Sequence, residues 1–146
     1  MALTANRVSY LFDEGKILRQ EVDGTVTKIY DGSILASNPG GTGLLLNGVD
    51  TASFVFRGIA LEEYPRPVLP QDVVVTPTDT KIDVSIPGSG RVFRLPIVTA
   101  IDDTNIGDSV YIVDDESVDL AAGVTNNILV GTIVGYESAN LAYVRI

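Results

Sequence analysis

The apolar period constrains this chain most. Hydrophobic residues recur at every second position over short runs, and each run stops at turn residues. In KIDVSIP, Ile82, Val84 and Ile86 alternate with Asp83 and Ser85. In RVSYLF, Val8, Tyr10 and Phe12 fall on one side of an extended chain. That period of two belongs to strands, whose side chains point to alternate faces. The breaks are Asp13–Gly15, Asp23–Gly24, Asp31–Gly32, the loop SNPGGTG and the turn PGSG. Asp23–Gly24 lies between two strand-like runs and is the strongest short hairpin signal. Helical recurrence with caps is scarce. Only LTANRVSYLFDEGKILRQEV approaches it, and Gly15 breaks it; Asp102–Ile106 has room for one short turn. The reading is all-β, a small barrel or sandwich of about ten short strands.

Two interruptions bear on organisation. Gly58 sits inside the apolar run SFVFRGIAL, where a glycine marks a bulge or a close backbone approach. EYPRPVLPQD carries prolines 65, 67 and 70, which remove ladder donors and favour an ordered extended connection. No internal repeat is legible: FRGIAL and VGTIVG share only an apolar run around a glycine. The expected organisation is one compact domain. Residues 1–52 form an N-terminal arm or hairpin segment packed on a β-barrel body of residues 53–146.

Composition excludes more than it proposes. At 146 residues the chain is one domain long enough to hold a core. With no cysteine it has no disulfide, thiolate nucleophile or zinc–sulfur site. With no histidine it lacks the usual neutral-pH base and the commonest transition-metal ligand. The formal charge is −9 and the ten basic residues are scattered. Nucleic acid, which needs clustered Lys and Arg, is not an expected partner, nor is an anionic membrane. The charge favours solubility, and part of the apolar content is expected between subunits. No run approaches the roughly 18 apolar residues of a membrane helix, and the first residues lack a signal-peptide pattern, so synthesis in the cytoplasm is expected.

The sequence offers four candidate sites. Asp114–Asp115–Glu116, with Asp102, Asp103 and Asp108 near in sequence, is acid-rich enough to suggest calcium. The spacing does not match an EF-hand loop, and neighbouring residues of an extended chain point apart. A solvated turn after Val110–Val113 is the expectation. A glycosidase pair needs two carboxyls about 5 to 9.5 Å apart in a cleft, and nothing in the spacing of nineteen acids selects two. GSGR and NPGGTG lack the lysine and the following helix of a phosphate loop, and read as turns. The six tyrosines and four phenylalanines are spread along the chain as core or subunit contacts; Tyr64, in YPRP, is expected at the surface. No cofactor, metal or catalytic residue is assigned.

The last fifty residues have more identity. Gly107–Asp108–Val110–Tyr111, then Leu129–Gly131–Ile133–Gly135, then Val144–Arg145–Ile146 follow one another across an acidic and small-residue connection. This order resembles the small capsid decoration (cement) proteins of tailed bacteriophages, and Val55–Glu63 resembles their earlier glycine-interrupted strand. The resemblance covers about Ser53–Ile146. It implies a small β-barrel or sandwich, a homotrimer on the outside of the virion capsid, the major capsid protein as partner, and no enzymatic activity. In the N-terminal part, Leu3, Val8, Tyr10 and Phe12 are interleaved with Arg7, a segment able either to add a strand to a capsid sheet or to pair within its own body. These five residues and Tyr64 are the candidate capsid or subunit contacts. A tail, baseplate or head-fibre module and a carbohydrate-binding module are the alternative readings.

Overall fold

A computed structural model describes residues 16–65 and 80–146. The described residues form ten strands: β1 Ile17–Glu21, β2 Ile34–Ser37, β3 Leu46–Asn47, β4 Val55–Ala60, β5 Lys81–Ser85, β6 Val92–Pro96, β7 Ser109–Ile112, β8 Val118–Asp119, β9 Leu129–Ser138 and β10 Leu141–Arg145. Their only helical pieces are two 3-10 turns, Asp103–Asn105 and Ala121–Gly123. Asp102 caps the first of these turns through Thr104 and Asn105. The strands make two five-stranded antiparallel sheets, ordered β1-β5-β4-β2-β3 and β6-β10-β9-β7-β8. The all-β class is therefore as expected.

The two sheets are copies of one plan. Each curls until its edge strands meet in a single parallel bridge, Val22 with Leu45 in the first and Ile97 with Val118 in the second. The registers coincide. Gln20 faces Ile82 as Leu95 faces Ala142, and Ala60 faces Val84 as Ile133 faces Val144. Leu35 faces Gly58 as Val110 faces Gly131, and each pairing is followed by the same register shift. The turns entering β2 and β7 also agree. Gly32 (φ 88°) and Gly107 (φ 98°) both need the left-handed backbone. Gly32 N donates to Ala60 O as Gly107 N donates to Ile133 O, each at 2.9 Å. The last residue after each sheet closes back alike, Ile86 N on Lys16 O and Ile146 N on Arg91 O.

The expectation of no repeat is thus corrected: FRGIAL and VGTIVG occupy equivalent places. Both glycines are required because a side chain would run into a backbone carbonyl, Ser85 O at Gly58 and Arg145 O at Gly131. A bulge or a close approach is expected at Gly58, and the structure has both. The seam of the molecule is the PGSG turn, Pro87–Gly90. Residues 17–52 are three strands of the first barrel rather than a segment laid on a separate body. The proline-rich stretch interrupts the β4–β5 connection, which the second barrel makes with a short turn at 139–140.

The Asp23–Gly24 hairpin is also corrected. The turn forms, with Val26 N on Asp23 O at 3.0 Å, but the strand before it pairs with β5. The Asp23 carboxylate takes the Thr25 amide at 2.9 Å and the Thr25 and Thr42 hydroxyls, so it ties the turn to the distant SNPGGTG loop. The run after the turn keeps one bridge, Ile29 to Tyr64, and lays Val26 and Ile29 over the first core.

Six inward positions are equivalent and buried in both barrels: Val22, Leu35, Leu45, Ala60, Ile82 and Val84 in one, Ile97, Val110, Val118, Ile133, Ala142 and Val144 in the other. The large and small members exchange. Ala60 with Ile82 in the first becomes Ile133 with Ala142 in the second, which keeps total volume and so packing density.

Candidate interaction surfaces

The two barrels meet through one apolar cluster. Ile34, Ala36, Phe56 and Ile59 on the outer face of the first join Phe93, Leu95, Ile128, Val130 and Ile146 of the second. Polar contacts frame it. Ile34 N donates to Asp115 O at 2.8 Å, and Asp50 N to Val113 O at 3.2 Å. The Asp50 carboxylate accepts the amides of Thr125 at 2.6 Å and Asn126 at 2.9 Å, and Asn126 Nδ2 returns to Asp50 O. The Thr125 amide is the main cause that holds the Asp50 carboxyl below its ordinary range, against partial desolvation.

The joint is not a two-fold. The first barrel contributes the turn 30–33, the start of β2 and residues 48–50; the second contributes the end of β6, the loop 113–116 and residues 125–126. These are different parts of the common plan. Each barrel therefore keeps one open face. On the first, Leu18, Gln20, Val55, Arg57 and Ile86 line a groove, with Leu18 49% and Val55 43% exposed. Their counterparts Phe93, Leu95, Ile128, Val130 and Ile146 are all buried at the joint. On the second, Ser109, Tyr111, Leu129 and Thr132 replace Ile34, Ala36, Phe56 and Ile59, and Leu129 is 54% exposed. Asp108, Ser109 and Tyr111 share a second groove there with Leu120, Ala121 and Ala122.

The acids have structural work. Asp114 Oδ1 accepts the amides of Glu116 and Ser117 and the Ser117 hydroxyl, closing the turn after β7. Asp115 is half-buried against the first barrel, and burial pushes its carboxyl up, helped by the charges of Asp114 and Glu116. The triplet is thus a contact of the joint as well as a strand end. The Thr104 hydroxyl and amide hold Asp102 down, and Tyr136, donating to Asp103 at 3.0 Å, is pushed up by that bond. Among the described residues no three acids converge as metal ligands. No helix among them is long and apolar enough to cross a membrane.

Of the expected contacts, Leu3, Arg7, Val8, Tyr10 and Phe12 lie outside the described residues. Tyr64 is half-buried against the first core, its backbone bridged to Ile29 at 2.8 and 2.9 Å. Among the described residues the exposed tyrosine is Tyr30, whose ring lies under Lys28 Nζ. Leu18, Val55 and Leu129 were missed, because alternation marks faces but not which face has a neighbour. No protein-family model, curated protein or solved structure matches this chain.

Proposed function

We propose that the protein is a structural component of a tailed-phage particle, a decoration protein that binds the outside of the head as a homotrimer and reinforces the major capsid lattice. One observation carries the reading. The segments that hold the resemblance, Gly107–Tyr111, Leu129–Gly135 and Val144–Ile146, lie side by side in the order β10-β9-β7. Their adjacency in one sheet supports reading them as a single motif rather than as three separate patterns. A trimer engaging several capsid subunits turns modest contacts into avidity, and a surface of net charge −9 keeps the free protein soluble. The test is stoichiometry on purified heads. The expected copy number scales with the capsid lattice; a fixed small number of copies per particle points to a tail, baseplate or head-fibre module and overturns the decoration reading.

A further inference from the structure

We propose that copies of this chain dock head to tail, the Ser109–Tyr111–Leu129–Thr132 face of one copy entering the Leu18–Val55–Ile86 groove of the next. The template is the joint inside one chain, where the equivalent face of the first barrel already covers the equivalent face of the second. Because that joint is heterologous, it leaves one unused partner of each kind, the groove on the first barrel and the outer face on the second. Both unused faces carry exposed apolar side chains: Leu18 and Val55 on one, Leu129 on the other. They also carry opposite charge, with the Arg57 guanidinium beside the first groove and the Asp108 carboxylate beside the second. Neither charge exists at the internal joint, where Val130 and Ser33 stand at those positions. That difference lets a copy tell its neighbour's face from its own. Heterologous contacts close into rings or run on as filaments. Closure at three copies gives a ring of six barrels, which deepens the trimer of the proposed function.

The experiment needs no capsid, so its failure is separable from failure of the decoration reading. The masses of the full chain, of Val55→Glu and of Leu129→Glu are measured by sedimentation, with circular dichroism melts to confirm folding. The full chain is expected to be an oligomer, and each variant alone a folded monomer. Mixed one to one, the variants are expected to form a dimer and nothing larger, because one intact face of each kind remains. A monomeric full chain, an oligomeric single variant or a mixture that stays monomeric overturns the proposal. So does a monomer that becomes an oligomer when residues 2–12 are removed, since that outcome puts the chain's own N-terminal segment in the groove. Should either glutamate variant fail to fold, Val55→Ser and Leu129→Ser read the same faces by weakened association.

Discussion

Exchanging Ala60 and Ile82 tests the equivalence of the two barrels inside their cores. Ile82 is 2% exposed and Ala60 1% exposed, and both belong to the first core. Ile82→Ala alone removes a buried side chain and leaves a cavity, a cost of about 2–5 kcal/mol. Ala60→Ile alone inserts a large branched side chain into a filled core, a cost of about 1–3 kcal/mol. Simple addition puts the double variant at about 3–8 kcal/mol. The second barrel already holds the exchanged arrangement, Ile133 with Ala142, on the same backbone register. The double variant is therefore expected to be more stable than Ile82→Ala, which requires a favourable coupling larger than the ~1–3 kcal/mol cost of Ala60→Ile alone. Urea unfolding of the four proteins measures this, provided the slope with denaturant is unchanged. Strict additivity would falsify the claim that the two cores fill the same space in two ways.

Other outcomes follow from the same geometry. Gly58→Ala, which meets both a positive φ (135°) and the Ser85 carbonyl, is expected to cost about 2–5 kcal/mol. Gly24→Ala, with open space around it, is expected to change stability by less than about 1 kcal/mol; urea midpoints compare the two. Asp50→Asn weakens the tie to Thr125 and Asn126 and is expected to cost about 1 kcal/mol at neutral pH. The Asp50 folded-state pKa is depressed, so its contribution is present above the ordinary carboxylate value and lost as pH falls through the folded value. The asparagine variant should lack that part of the acid slope in a series of urea midpoints against pH. Asp115 has the opposite sign: burial raises its pKa, so the folded state loses stability as pH rises through the folded value. Asp115→Asn is expected to be neutral to stabilising at pH 7, by at most ~0.5 kcal/mol, again read from the urea midpoint. Excess calcium is expected to leave the melting temperature unchanged, since binding to the folded form alone would raise it.

Much of the second barrel was legible because its chemistry follows its geometry. Val110 and Ile112 point inward and are buried, Gly107 needs its positive φ, and the strands at 92–96, 129–138 and 141–145 coincide with apolar runs. The repeat is hidden because residues at equivalent positions meet different surroundings in the two barrels. Phe93, Leu95 and Val130 are buried at the joint, while their counterparts Leu18, Gln20 and Arg57 line an open groove. What the copies share is inward aliphatics and two pairs of glycines, features common to any β protein. The proline-rich insertion in the first β4–β5 connection also displaces the spacing, so a fixed period never appears. Asp23–Gly24 misled for a related reason: a local turn signal says nothing about the longer pairing that β1 finds with β5. The joint itself depends on Asp50 reaching Thr125 and Asn126 far along the chain, a contact no local pattern encodes.

Cryo-electron microscopy of tailed-phage heads built from the cognate capsid protein, mixed with the purified chain, tests the whole account most directly. The expected map shows density at symmetry-related points on the outer surface, each feature a ring of six barrel-sized lobes in which successive barrels meet by one kind of contact. Bare heads contradict the decoration reading, and bound density in which neighbouring chains meet through two identical faces contradicts head-to-tail docking.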